Sequence, residues 1–491
     1  MIARLQRSIR KMLVLMLKIS RRYEHRQRHL TGEGKSIFQS SLAAPRWLFV
    51  LFTFLAVLII MSSFEIITLR LVSGYIVISL GFIILLGAYL YRYARHIFES
   101  NNDLIILESV SILIIALAKI FQEMHLSGYL IPLGMVSILM TILVDIDLAI
   151  LMTVVLDIMI GVIYHNDLNL FTVQLIGGLV GIFSASSVQQ RSDLIRSGLL
   201  ISVANAVGII CFSALLQITR MEVIAYNCLW GIANGFLCGI LSIGFLPYFE
   251  HMFGISSNIK LLELSDLNQP LLKRLMVEAP GTYHHCLLVG NLAQSAAAAI
   301  GSNSLLARVG GYYHDIGKLA KPEYYIENQD SYNRHDDLSP SMSSLIVLSH
   351  VKEGVELAAQ YKISQEIIDI IEQHHGTSLV YFFYQRALEE DTEATKEQFR
   401  YPGPKPQSRE AAIILLADAV EAASRTLEDP SYAHVQELVT RIINNKFVDG
   451  QLEECDLSLK DLHIIGEQFS HILSGMFHSR VEYPTEGRET K

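Results

Sequence analysis

The chain has 491 residues, of which 51 % are hydrophobic and only 18 % charged, and its mean hydropathy is +0.36. An average globular domain is about 25 % charged, so an ordinary soluble enzyme is excluded. The net charge of −9 comes with no basic stripe interleaved with aromatics, which argues against a nucleic-acid polymer as partner. The five cysteines show no paired spacing, and no Cys-x-x-Cys invites structural zinc or redox chemistry.

Residues 1–44 form a basic segment. Eleven Lys or Arg and two acidic residues fall within 1–46. The first apolar run of spanning length starts near residue 45, too late for a cleaved signal peptide. Residues 45–248 then hold long apolar runs, and a spanning helix needs roughly 20 such residues. Eight spans are expected, at about 45–64, 71–92, 103–121, 127–144, 146–164, 172–188, 197–218 and 226–248. An even count puts both termini on one side. Arg92, Arg95, Arg191 and Arg196 then join the basic N-terminus on that side, so the positive-inside rule makes it cytoplasmic. The expected location is the inner (cytoplasmic) membrane, multi-pass, with the lipid bilayer as partner. Two ionisable residues fall within spans, Glu108 and Asp157, where such groups are functional suspects by default. Burial between helices, bonded to neighbouring Ser or backbone groups, is the expectation for both.

Residues 249–269 read as a linker helix and 270–480 as a second, all-helical unit. Apolar residues there recur at three- and four-residue spacing. The expected helices are 259–276, 282–300, 303–319, 340–361, 364–375, 408–427, 431–446 and 457–478. Breakers separate them at Pro280-Gly281, at Gly376 and along Tyr401–Pro406. The fold class is therefore all-α: a multi-span membrane domain followed by a helical cytoplasmic domain.

Seven of the 17 histidines, at 284, 285, 314, 335, 350, 374 and 375, fall within 92 residues. Asp315 and Asp418 interrupt otherwise apolar stretches, where a carboxylate is costly unless paired or bound to a metal. Imidazole with carboxylate and no thiolate suits manganese, iron or zinc. Two metals held close together can activate a bridging water and clamp a phosphoryl group. One carboxylate can bridge both, and Asp315 sits beside His314; Lys318, one turn on, could set a cation against a phosphate oxygen. Adjacent His284 and His285 cannot both face one point, since helical neighbours diverge by about 100°. His335, in a polar loop, reads as an ordinary histidine.

These segments together resemble the HD superfamily of metal-dependent phosphohydrolases, and more closely its membrane-bound 7TM-HD branch of PgpH-type cyclic-di-AMP phosphodiesterases. The resemblance rests on Glu278–His285, Tyr313–Lys318, Leu338–Pro340, Ser349–Glu356, Ile371–Ser378, Tyr401–Pro406 and Leu416–Glu421. It implies a dinuclear site. His285, His314 and Asp418 would hold one metal, His350 with the His374/His375 pair the other, and Asp315 would bridge them. The resemblance also selects His285 over His284, as the histidine leading into the helix body. Asp315 and Lys318 would be the catalytic residues and two ions of Mn2+ or Fe2+ the cofactors. The substrate implied is a cyclic dinucleotide, c-di-AMP, opened to linear pApA; a homodimer stands among the expected assemblies. One departure is plain. Family members usually carry a large extracytoplasmic domain after the first span, whereas here only about Ser63 to Arg70 separates the first two spans. The rival readings are an HD-type hydrolase acting on another nucleotide such as (p)ppGpp, and a membrane receptor or transporter with a regulatory metal domain.

Overall fold

The computed structural model of the chain describes residue 57 and residues 69–93, 101–253, 256–329, 332–390, 394–427 and 431–477. The basic segment and most of the first expected span lie outside the described residues. The membrane unit comprises α1 (Leu69–Tyr93), α2 (Asn101–Glu123), a 3-10 turn (Gly128–Leu130), α3 (Leu133–Leu143), α4 (Ile146–Ile163), α5 (Leu168–Ala185), α6 (Arg191–Leu215) and α7 (Met221–Phe253). Six of these, α1, α2 and α4–α7, are long and apolar enough to cross a membrane, so the chain is a multi-pass membrane protein.

The fourth expected span is the exception. Pro132 cannot donate a backbone bond and forces the residue before it out of the helical region. Ile131 is accordingly extended, at φ −64° and ψ 122°. The helix restarts at Leu133 and runs for only 11 residues. At 1.5 Å per residue that is about 16 Å, roughly half the hydrocarbon thickness. The freed carbonyl of Ile131 is not wasted, because the side-chain amides of Gln174 and Asn234 both donate to it. Residues Leu133 to Met140 of α3 are all buried, so this half-length helix is the centre of the bundle rather than a lipid-facing span.

Without water between them, membrane helices associate through close packing of small residues. A Cβ on Gly235 of α7 would meet the backbone N of Ser202 on α6 at 2.3 Å, so only glycine lets these two helices touch. With 33 residues α7 extends about 50 Å, beyond the bilayer core, and leads directly to the second unit.

That unit contains α8 (Asn258–Leu264), α9 (Pro270–Glu278), α10 (Pro280–Ala299), α11 (Ser304–Tyr313), α12 (Pro340–Gln360), α13 (Gln365–Gln373), α14 (Tyr381–Glu390), α15 (Arg409–Ser424), α16 (Tyr432–Val448) and α17 (Leu459–Phe477), with short 3-10 turns between α11 and α12. Among the described residues the only β feature is one isolated bridge, between Leu379 and Arg400. The core is built on α15, whose residues from Ala411 through Ala417 are at most 1 % exposed, surrounded by α10, α11, α13, α16 and α17.

Three sequence expectations are corrected here. The single helix over 259–276 is two, α8 and α9, because Asp266 accepts from the backbone of Asn268 in a turn and Pro270 starts the next helix. The helix over 303–319 ends at Tyr313, with His314 as its cap and a 3-10 turn following. Helix α14 was not expected, because its Tyr-Phe-Phe-Tyr start carries no clear helical period.

Helix α8 joins the two units. Ile259 belongs to the membrane core, while Leu261 and Leu264 belong to the core of the second unit. Arg191, at the start of α6, pairs with Glu263 through two bonds of 2.7 and 3.2 Å. Tyr313, the residue before His314, donates its hydroxyl to the carbonyl of Leu264 at 3.0 Å.

Candidate metal centre

Each candidate histidine reaches the site from a helix or its end. Pro280 opens α10, and Asn328 accepts from the backbone N–H groups of Gly281 and Thr282, holding the N-terminus from which His285 projects one turn in. His285 is buried and His284 is exposed. His314 caps α11, His350 lies in α12, His374 caps α13, and Asp418 lies in α15.

Three of the imidazoles are oriented in the same way. His314, His350 and His374 donate their Nδ1–H to the carbonyls of Gly311, Val347 and Ile371, each three residues earlier, at 2.8, 2.6 and 2.7 Å. A neutral imidazole that donates from Nδ1 carries its lone pair on Nε2, and here every Nε2 points at Asp315. The distances from Nε2 to the Asp315 carboxylate are 3.3 Å for His314, 3.3 Å for His350 and 3.6 Å for His374. His285 Nε2 is 3.4 Å from the same carboxylate and 3.1 Å from Asp418. His375 Nδ1 is 3.5 Å from the other Asp418 oxygen.

The donor atoms fall into two groups. Those of His285, His314, Asp315 and Asp418 lie within 4.8 Å of one another, and so do those of Asp315, His350, His374 and His375. Asp315 is common to both, with Oδ2 facing the first group and Oδ1 the second. His285 Nε2, His314 Nε2 and Asp315 Oδ1 are buried without a hydrogen-bond partner. Buried lone pairs left unsatisfied and converging on common points are what a metal ion would satisfy. The donor set, imidazole and carboxylate without thiolate, fits divalent cations.

Electrostatics agree. Burial works against charge on Asp315 and Asp418, yet Lys318 and the histidines around Asp315, and His285 and His314 beside Asp418, hold both well below the usual carboxylate range. Burial lowers His285, but Asp418 and Glu421 more than reverse that and bring it to about 9. His374 is lowered to about 4, first by burial and then by its histidine neighbours, so it is neutral at pH 7 with its lone pair free. The carboxylates likewise raise His314 well above the usual imidazole range against its burial, and a divalent cation bound at Nε2 would displace any proton there and leave the His285 and His314 rings as neutral ligands.

Lys318 Nζ is paired with Asp315 Oδ2 at 2.7 Å and with Glu327 at 2.8 Å. Its charge is retained in spite of burial because of those two carboxylates. His335 stands apart, with Nε2 2.8 Å from the carbonyl of Tyr324 and its ring against Phe383. Gly317 makes the geometry feasible. A Cβ there would lie 1.8 Å from the carbonyl oxygen of His350, so only glycine lets the turn after Asp315 rest on α12.

Sequence reasoning missed three residues. Glu421 accepts from His285 Nδ1 at 2.5 Å and from Arg425 at 2.8 Å. Its signal was its place one turn after Asp418 on the same buried helix. Glu327 accepts from both Lys318 and Thr282, from a loop with no periodicity to betray it. Tyr401 stacks on His375 with ring centroids 4.2 Å apart.

A bundle of membrane-crossing helices followed by an all-helical unit whose histidines and aspartates converge on one buried carboxylate defines a membrane-anchored HD-type protein. Two family profiles match the chain. Residues 69–257 match a family described as 7TM receptor with intracellular HD hydrolase, and residues 282–423 match the HD domain. The chain thus carries, in this order, the membrane region of that family and an HD domain.

Among its relatives is the cyclic-di-AMP phosphodiesterase PgpH of Bacillus subtilis, 39 % identical over 434 residues, which cover 86 % of this chain and 61 % of the relative. The PgpH of Listeria monocytogenes is 40 % identical over 318 residues, 64 % of this chain and 44 % of the relative. The chain thus spans less than two thirds of the length of these relatives. The crystal structure of the L. monocytogenes PgpH HD domain in complex with cyclic-di-AMP is 46 % identical, covers 43 % of this chain and 99 % of that one, and has a TM-score of 0.42.

Proposed function

We propose that this protein is a metal-dependent phosphodiesterase that hydrolyses cyclic-di-AMP to the linear dinucleotide at a dinuclear centre. The observation that carries this reading is the Asp315 carboxylate, shared between two groups of donors on opposite sides. That the PgpH proteins it resembles are named cyclic-di-AMP phosphodiesterases supports the choice of substrate. His285, His314 and Asp418 would hold one ion and His350, His374 and His375 the other, with Asp315 bridging. Iron(II) or manganese(II) suits this set. When bound, the metals supply Lewis acidity and lower the pKa of a water so that it is a nucleophile at neutral pH.

The residues of the chain do the rest. Nδ1–H bonds to backbone carbonyls and to Glu421 fix the tautomers and aim the lone pairs. Glu327 and Asp315 keep Lys318 protonated, which sets a positive charge beside the reacting phosphoryl oxygens. Tyr401 covers the face of His375 and keeps water from that side.

The same reading places the protein in the cytoplasmic membrane with both termini in the cytoplasm, supported by the 11 Lys or Arg in residues 1–46 and by Arg191 and Arg196. It assigns 270–480 to the phosphohydrolase unit and 249–269 to the link. The division of α8 between two cores supports that boundary. The test uses the full chain in detergent, loaded anaerobically with iron(II) or manganese(II) and given cyclic-di-AMP, cyclic-di-GMP or (p)ppGpp. Metal-dependent conversion of cyclic-di-AMP, lost in Asp315→Ala, is expected. Turnover of (p)ppGpp instead, or of none with metal bound, overturns it.

A further inference from the structure

The membrane unit holds a carboxylate that the metal centre does not use. Asp157 of α4 is 0 % exposed, and among the described residues neither of its carboxyl oxygens has a hydrogen-bond partner. The expected bonds to neighbouring Ser or backbone groups are therefore not made. One turn earlier, the Thr153 hydroxyl donates to the carbonyl of Ala149 at 2.7 Å and accepts from the hydroxyl of Ser137 on α3 at 2.8 Å. A Cβ on Gly178 of α5 would lie 2.5 Å from Thr153 and 3.0 Å from Ser137. Helices α3, α4 and α5 thus approach closely one turn from Asp157.

The elements packed on α4 are α1, α2, α3 and α5. Neither α3 nor α5 has an ionisable side chain. On α2, Glu108 has a partner, and Lys119 is occupied by Gln122 at 2.8 Å and Glu123 at 3.5 Å. On α1, the ionisable side chains not exposed among those described are Tyr75 and Tyr89. Among the described residues, no basic group pairs with Asp157.

An isolated ionised carboxylate in such surroundings is costly enough that the group takes up a proton instead. A metal cation would need several oxygen ligands, and the hydroxyls one turn away, on Ser137 and Thr153, are already bonded to each other. A proton needs only one carboxyl oxygen. We propose that Asp157 is a proton-binding site of the membrane unit: the carboxyl is protonated in the packed bundle, and release of its proton to water is coupled to loosening of the α3–α4–α5 contact. The coupling follows because the carboxylate left behind requires donors that the closed packing does not supply.

The test is infrared difference spectroscopy on the full chain in phosphatidylcholine nanodiscs as pH is raised. The expected result is the carbonyl stretch of one protonated carboxyl that persists well above the ordinary carboxylate range and is missing from Asp157→Asn. The asparagine matches the neutral acid in size and should leave the unfolding temperature unchanged; Asp157→Leu serves if it does not fold. A spectrum that neither substitution alters, or a band that follows sodium or potassium concentration rather than pH, overturns the proposal. Hydrogen exchange of residues 133–143, corrected for intrinsic rates, should quicken with pH in the parent and not in Asp157→Asn. Equal pH dependence in both overturns the coupling.

Discussion

Glu421 touches no expected ligand position except through His285, which makes it a sharp test of how the centre is held. Its Oε2 accepts from His285 Nδ1 at 2.5 Å, both side chains are nearly buried, and its other oxygen is held by Arg425 at 2.7 and 2.8 Å. Partners of this kind fix the ring orientation and raise ligand basicity, and their loss typically costs 10–100-fold in metal affinity. Glu421→Gln keeps an oxygen that can accept from Nδ1 and removes only the charge, so about tenfold weaker binding, or about 1.4 kcal/mol, is expected. Glu421→Ala removes the acceptor and strands Arg425, so the loss should approach about 100-fold, or about 2.7 kcal/mol. The effect should fall on one of two equivalents, because the donors of His350, His374 and His375 do not touch Glu421. Competition of manganese(II) against a chelating dye reads both steps. If Glu421→Ala binds both equivalents as the parent does, while unfolding at the parent temperature, the account of the first metal's support is wrong.

Gly317→Ala should destabilise the second unit by more than about 3 kcal/mol, since its Cβ would meet backbone at 1.8 Å and neither side is a flexible chain end; thermal unfolding near the parent temperature would refute the clash. Removing metal with a chelator should abolish turnover and lower the unfolding temperature of the second unit, with re-addition restoring both, because a ligand bound only by the folded state stabilises it. Unfolding temperatures indifferent to metal would contradict a site in which the ligand atoms depend on the ion. Arg400 holds Asp449 below the usual carboxylate range through a 2.8 Å bond. A depressed folded-state pKa means that this stability is present above the unfolded pKa and fades as pH falls through the folded one. Both side chains are about a third exposed, so Asp449→Asn should cost only about 0.5–1 kcal/mol near neutral pH and less in acid. A cost that grows on acidification would reverse the sign and refute the pairing.

Much of this protein is written locally along the chain. Long apolar runs report membrane helices because the bilayer demands about 20 consecutive apolar residues wherever the helix ends up. His314 beside Asp315, the pair His374 and His375, and Asp418 alone in an apolar helix are legible because a buried charge is improbable without a partner. The choice of His285 over its neighbour needed the resemblance, and the structure shows its consequence: one ring is buried and the other exposed.

What the sequence could not show depends on distance between segments far apart in the chain. Pro132 marks a break, but only the amides of Gln174 and Asn234, 43 and 103 residues away, explain how a half-length helix survives at the centre of the bundle. Glu421 and Glu327 are unremarkable acids in one dimension; their roles exist because folding brings them against His285 and Lys318, 136 and 9 residues distant. Asp157 looked like many other intramembrane acids, and its lack of any partner is a property of the packed helices around it. Local physics determined which segments enter the membrane and which residues can hold a metal. Tertiary packing decided which lone pairs converge, which charges are paired and which one is left for a proton.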